Sequence, residues 1–248
     1  MKIQSILTTA IAIVGFVSAS VAQTADEVVA KHLAAMGGID KLKAVSSIKM
    51  EAKIQSPQAP GMDILMTMSA VNGKGFRQDI TVMGMSMQGG YDGTTAWNNA
   101  PTMMGGSGNP EPLPAEQAER AKEQIDLAGA LVDYASKGNS IELLGKEDLE
   151  GSEVFKLKVN KKNGDTEYHY IDSGSFLILK TETITKLKGQ ETKSSQLLSN
   201  YKEVNGMKFP FTIEQDNPLM GGTSSINFTS ILVNVPVDES AFKMPAKK

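Results

Sequence analysis

Between Met62 and Met87, methionine recurs at two-residue spacing in two neighbouring segments: Met62, Met66 and Met68, then Met83, Met85 and Met87, with Ile64 filling the gap in the first. A strand points alternate side chains to one face, so each set lines one face of one strand. Methionine is unbranched and polarizable, which suits a wall that adapts to a ligand of variable shape. The first expectation is therefore a greasy, adaptable cavity. An ordinary methionine-filled core has the same spacing.

The alternation extends well beyond the methionines. Ser47 to Ile54 places Ile48, Met50, Ala52 and Ile54 on one face and Ser47, Lys49, Glu51 and Lys53 on the other, the mark of a half-buried antiparallel strand. Met62 to Val71, Gly75 to Val82 and Met83 to Tyr91 alternate likewise, with Asn72-Gly73 turning the chain between the first two. Phe76, Gln78, Ile80 and Val82 share a face, while Arg77 and Asp79 point away. Tyr91-Asp92-Gly93-Thr94 leads into a short strand, Thr95 to Asn98, that holds the only tryptophan, Trp97.

Downstream, strands are expected at Ile141 to Leu144, Glu153 to Asn160, Thr166 to Ile171, Phe176 to Thr185, Glu191 to Leu198, Met207 to Gln215 and Ser224 to Val233. Turn residues separate them at Glu150-Gly151, Asn163-Gly164, Ser173-Gly174, Lys188-Gly189 and Asn205-Gly206. So many consecutive strands read as one antiparallel sheet that must curl, because a flat sheet of about ten strands is unusual.

Two helical stretches interrupt this pattern. Thr24-Ala25-Asp26-Glu27 is a capping box, Val28, Val29, Leu33 and Met36 follow at helical spacing, and Gly37-Gly38 stops the helix before a second turn from Ile39 to Val45. After a loop at Gly105 to Pro114, Pro114 to Tyr134 reads as one long helix with Ala118, Ala121, Ile125, Ala128 and Val132 along one face. Small side chains bury little area, at about 25 cal/mol per Å², so this helix is held loosely and reads as a mobile lid or as a plain covering helix.

The first residues have an export pattern: Lys2, an apolar run from Ile6 to Val17, and Ser20-Val21-Ala22 ahead of Gln23. The expectation is a signal peptide over 1–22, cleaved after Ala22, and a single domain over 23–248 exported to the periplasm. There are 0 cysteines, which excludes disulfides, thiolate chemistry and a lipid-modified cysteine. Loss of Lys2 moves the net charge from −3 to −4, and mild acidity with interspersed lysines argues against nucleic acid.

Two isolated histidines and scattered carboxylates make no nucleophile and base pair, so no catalytic residue and no cofactor are assigned. His32 reads as a helix-packing residue and His169 as a structural strand residue. Ser107 and Ser173-Gly174-Ser175 lie in turns without a nucleophile-elbow context. Asn227-Phe228-Thr229 matches a glycosylation sequon by chance. A sharper rival to the apolar wall is copper(I) bound through the thioethers of Met66, Met68, Met83, Met85, Met87, Met103 and Met104. A structural or interaction module of the cell envelope has the same composition.

Several motifs occur in a family-like order. Tyr91-Asp92-Gly93 is followed by Trp97 and Pro101; Thr166 to Asp172 precedes Phe176 to Glu182; Tyr201 precedes Val204-Asn205-Gly206 and Phe209-Pro210; and Val237-Asp238 precedes Phe242-Lys243-Met244-Pro245. Together they resemble the outer-membrane lipoprotein-sorting family of periplasmic carriers, the LolA/LolB-like proteins. The resemblance implies a mainly β fold with covering helices: a curved, half-open antiparallel barrel with an N-terminal helix and a lid helix over a hydrophobic cavity. It also implies a non-enzymatic, monomeric carrier of lipoprotein acyl chains or another lipid, served by loading partners at the inner and outer membranes. On this reading the cavity is lined by Met50, Met62, Ile64, Met66, Met68, Ile80, Met83, Met85, Met87, Trp97, Ile125, Phe209 and Phe211. Arg77 is the candidate for the family's strand arginine that latches the lid.

Overall fold

The computed structural model describes residues 23–187, 190–217 and 222–247. The expected leader and the Lys188-Gly189 turn signal lie outside the described residues. The chain enters through helix α1 (Ala25–Ala35), capped as its sequence dictates. The Thr24 hydroxyl accepts from the Glu27 amide at 3.2 Å, and the Glu27 carboxylate accepts from the Thr24 amide at 3.0 Å. Gly37 ends the helix at φ 122°, where a Cβ would also come within 2.4 Å of the Gly206 carbonyl oxygen. Helix α2 (Ile39–Lys43) follows.

The rest is one 13-stranded sheet. Its first meander is β1 (Ser47–Gln55), β2 (Ile64–Val71), β3 (Gly75–Val82), β4 (Met85–Tyr91), β5 (Ala96–Asn99) and β6 (Glu111–Pro112). Its second is β7 (Ser140–Leu149), β8 (Ser152–Asn160), β9 (Thr166–Asp172), β10 (Ile178–Leu187), β11 (Gln190–Val204), β12 (Met207–Asn217) and β13 (Gly222–Val233). β13 pairs antiparallel with β1, so the spatial order runs from β6 down to β1 and then from β13 down to β7. The two free edges, β6 and β7, are therefore consecutive in the sequence. The chain between them has to travel from one edge of the curled sheet to the other.

That connection is where the structure departs most from the sequence pattern. Pro114 to Tyr134 is not one helix: α3 (Ala115–Ala121) passes into a 3-10 turn over Lys122–Ile125, and the chain leaves helical geometry at Asp126. Gly129 and Asp133 then take left-handed φ values of 85° and 49°. The alanine-rich face that a straight helix would bury is a weak competitor for packing energy. The turned chain instead sends Leu131 into a second core beneath α1, with Val28, Val29, Phe155, Leu157, Val159 and Ile171. The other core joins Ile48, Ala70, Phe76, Tyr91, Ile231 and Val233 to Ala121 and Ile125 of the crossing segment.

Two-residue turns with both residues at positive φ set the hairpin registers, and one of them, Met83-Gly84 (52° and 76°), starts β4 at Met85 rather than Met83. Strand β5 carries Trp97, which is fully buried. It lies over Gly90, where a Cβ would meet the indole ring at 2.8 Å, and its Nε1–H donates to the Phe242 carbonyl at 2.7 Å. This indole fastens the closing 3-10 turn, Glu239–Phe242, to the sheet. Trp97→Ala is expected to lower stability by about 3–5 kcal/mol in equilibrium urea unfolding, the usual cost of emptying a large aromatic site.

Candidate functional site

Directly opposed residues of neighbouring strands share a face, so the pairing register gives the composition of the concave wall. Ala52, Met66, Ile80 and Met87 are successive cross-strand partners, and Ala52 faces Phe228 on its other side. The next row toward the strand tips runs Met85, Val82, Ile64, Ile54, Ile226, Ile213 and Leu198, without a polar residue across seven strands. Six interstrand spacings of about 4.8 Å make this row roughly 29 Å long. A hydrocarbon core about 30 Å thick is two acyl chains deep, so the row is longer than one extended chain. Most of these side chains are half-buried, which leaves an apolar wall partly open to solvent.

Of the expected lining residues, Met50, Ile64, Met66, Met68, Ile80, Met85 and Met87 share this wall through the register. Phe209, Phe211 and Ile125 pack against the adjoining core. Three expectations are corrected. Met83 occupies the two-residue turn and is 73% exposed, because a turn interrupts the alternation that a continuous strand would have kept. Met62 precedes β2 and instead lines a cavity of about 490 Å³ in the β1–β2 loop, with Pro57, Asp63 and Thr223. Trp97 pairs with Gly90, which pairs with Arg77, so its side chain stands on the convex face, opposite the methionines.

Arg77 is on that convex face too. Its guanidinium grips Asp79 through Nε at 2.8 Å and Nη2 at 2.9 Å, lies 5.8 Å from the Trp97 ring and approaches the Ala241 carbonyl at 3.4 Å. These contacts lie at the C-terminal turn, on the face away from the crossing segment. The arginine that bonds from the crossing segment to the sheet is Arg120, on α3 itself. Arg120 Nη1 pairs with Asp165 in the β8–β9 turn, and Nη2 donates to the Lys186 carbonyl at 3.0 Å. Asp165 also accepts from the Lys186 amide at 3.2 Å. One helical turn further on, Glu123 pairs with Lys161 and Asn163 of the same β8–β9 turn.

The crossing segment is thus packed on β3–β5 through Ala118, Ala121 and Ile125 and clasped to β8–β10 through charge. Lys161 continues the clasp to Glu167 at 3.0 Å, and Glu167 meets His169 at 3.1 Å. Burial alone raises the Glu167 carboxyl, but hydrogen bonding and charge from His169, together with Lys161, outweigh it and hold the group at about 2. His32 of α1, lowered by burial, has Nδ1 2.9 Å from the Phe176 carbonyl and ties α1 to the β9–β10 turn. A cavity of about 740 Å³ outside the clasp is lined by Lys122, Asp126, Lys137, Lys161 and Lys162, a charged surface unsuited to an acyl chain. Among the described residues, no three His, Asp or Glu side chains converge to hold a metal, and no helix is long and apolar enough to cross a membrane.

Arg120 escaped the sequence reading because a charged residue on a covering helix looks solvated, and its partner lies in a turn 45 residues away. The only available signal was Asp165 itself, an acid directly after the Asn163-Gly164 turn.

A LolA superfamily protein from Nitrosomonas europaea superposes over 90% of this chain and 98% of its own, with a TM-score of 0.58 at 14% identity. This chain shares the fold of that protein. An outer membrane lipoprotein-sorting protein domain from Vibrio parahaemolyticus matches over 87% of this chain and 94% of its own, with a TM-score of 0.54 at 17% identity. A DUF1329 family protein from Desulfovibrio piger matches over 90% and 98%, with a TM-score of 0.58 at 13% identity. A family model described as an uncharacterized protein matches residues 131–246. No curated protein matches the chain by sequence. The LolA-type likeness is one of fold, and it agrees with the open, helix-crossed antiparallel sheet expected from the motifs.

Two tests follow from the clasp. Arg120→Ala is expected to speed backbone hydrogen exchange across 115–125 by about tenfold or more, since it strands the largely buried Asp165, while exchange in β1 and β13 stays unchanged. The folded Glu167 carboxyl lies below the ordinary value of 4.5, so its contribution is complete above pH 4.5 and fades as pH falls toward 2. Glu167→Gln is therefore expected to lower the melting temperature at pH 7, on the order of 3 kcal/mol in stability, with the gap to wild type closing below pH 4.5.

Proposed function

We propose that this chain is an exported carrier that shelters an acyl chain, with the lipid anchor of a lipoprotein as the first candidate, against the concave wall beneath the clasped crossing segment. The observation that carries this reading is the uninterrupted apolar row across seven strands, left half-open in a chain with a periplasmic export pattern. A buried methylene gains about 0.8 kcal/mol, so a dozen or more carbons laid on this wall supply roughly 10 kcal/mol before ordering costs. Residues 23–248 act as one monomeric carrier domain that needs no catalytic residue and no cofactor. Loading and unloading fall to partners at the inner and outer membranes. The lipoprotein-sorting domain from Vibrio parahaemolyticus, similar in fold, supports the lipoprotein form of the reading.

The register weighs against copper(I). Met66 and Met68 on β2 are separated from Met85 and Met87 on β4 by β3, which presents Gln78 and Ile80 between them. A set of sulfurs spread over about 10 Å fits a continuous wall better than one shared coordination shell.

Native mass spectrometry of protein purified from its own periplasm is expected to show a lipid or lipidated peptide bound. A copper mass that vanishes in Met85→Leu, with no lipid, would replace the carrier reading. In solution, Met87→Asp is expected to weaken a fluorescent fatty-acid probe by about tenfold or more by placing a carboxylate in the wall. Thr67→Asp, on the opposite face of β2, should leave affinity unchanged.

A further inference from the structure

We propose that the cavity between α3 and strands β3–β5 is a head-group subsite for an uncharged, carbonyl-bearing end of the acyl ligand, an ester or amide rather than a free carboxylate. The proposal rests on the carrier reading and adds to it a polar end and a direction. The cavity measures about 260 Å³ and takes its polar lining from Gln78, Asn98, Gln117, Gln124 and Arg120. Sites for whole small molecules run about 300–1,000 Å³, so this one fits a head group and leaves the tail outside. The tail has a wall to follow. Gln78 is the cross-strand partner of Met68 and lies two residues from Ile80, in the row of Met66 and Met87.

Two donors on residues that line the cavity call for a hydrogen-bond acceptor, and a glycine leaves room for it. The Gln78 Nε2 amide rests against the Met66 sulfur at 3.0 Å, a weak acceptor that a carbonyl oxygen improves on. Arg120 has both terminal nitrogens engaged, yet its Nε–H is buried with no partner, alone in this respect among the buried side-chain polar atoms of the described residues. A buried donor left unmade costs about 1–3 kcal/mol, which a ligand acceptor would recover once a small shift of α3 lets it reach the Nε–H. Between Gln78 and Asn98, the cross-strand position is Gly89, where an added Cβ would meet only the Trp97 carbonyl oxygen, at 3.7 Å. The floor of the cavity is thereby kept clear.

The charge state selects the class. Asp165 already neutralises Arg120, and the other polar lining groups are neutral amides. A carboxylate entering here is stripped of water without an uncompensated cation to meet it, and it sits close to a second carboxylate held on the same guanidinium. An ester or amide carbonyl takes the same N–H donors at far lower desolvation cost.

The test displaces a fluorescent acyl probe from the full mature chain with two competitors of equal tail, monopalmitoylglycerol and palmitate. Wild type is expected to favour monopalmitoylglycerol by about tenfold, as one or two well-made hydrogen bonds supply. Gln78→Leu should bring that preference within about threefold without weakening palmitate. Gln117→Ala, an exposed position that leaves folding untouched, should reduce the preference in the same direction. Equal or better displacement by palmitate, or a preference that survives Gln78→Leu, overturns the subsite and leaves the carrier reading standing. Failure of the probe to bind wild type at all removes the carrier reading itself.

Discussion

A twisted antiparallel sheet that curls without closing leaves two edges of unpaired backbone, and this chain places them next to each other in sequence. β6 is only Glu111–Pro112, with a proline that offers no donor, and β7 has an irregularity between Leu143 and Gly145 together with the charged run Lys146, Glu147 and Asp148. Both devices blunt an edge against pairing with another chain. Because the edges are consecutive, the chain between them has no route except across the opening of the half-barrel. The covering segment is thus a consequence of strand order, and everything that distinguishes the concave face from the convex one follows from it.

That segment is held by two kinds of interaction with opposite sensitivities. Ala118, Ala121 and Ile125 bury modest area against Phe76 and its neighbours, whereas Arg120 and Glu123 reach across to the β8–β9 turn through charge-assisted bonds. Apolar contacts of this size tolerate sliding; a guanidinium holding a largely buried carboxylate does not. The crossing segment is thus fastened on one side by apolar contact and on the other by ion pairs. The concave wall beneath is graded to match: amides and a guanidinium near α3, then methionine and isoleucine toward the strand tips.

The convex face is built on a different principle. Trp97, Phe242 and the guanidinium of Arg77 lock the C-terminal turn to the outside of β3–β5, over Gly75 and Gly90, which leave room for the rings. On the other half of the sheet, Lys156 and Lys180 lie over Tyr170, and Glu182 is drawn down to about 2: burial raises it, and bonds from Lys180, Lys193 and Tyr170 more than reverse that. These groups stabilise the outer surface without touching the apolar wall, so the two faces answer separately to substitution.

Much of this was written in the sequence. Period-two alternation sets side chains on one face or the other for purely steric reasons, so the strands, their turns and the shared wall of Met50, Met66, Met68, Ile80 and Met87 were all legible without coordinates. The capping box and the Gly37-Gly38 stop were equally local. What alternation does not encode is where a turn interrupts it, and Met83 therefore read as wall when it is a turn residue. Nor does it encode which face of the sheet curls inward: Trp97 reads as cavity lining and Arg77 as the lid latch, and only the register from β5 to β3 places both on the outer face. The long helix failed because burial of Leu131 under α1, some 100 residues earlier in the chain, outweighs local periodicity. Arg120 and Asp165 meet for the same kind of reason. Their pairing depends on a sheet bringing β5 and β9 to opposite sides of one opening, a distance relation that belongs to the tertiary structure and to no stretch of sequence.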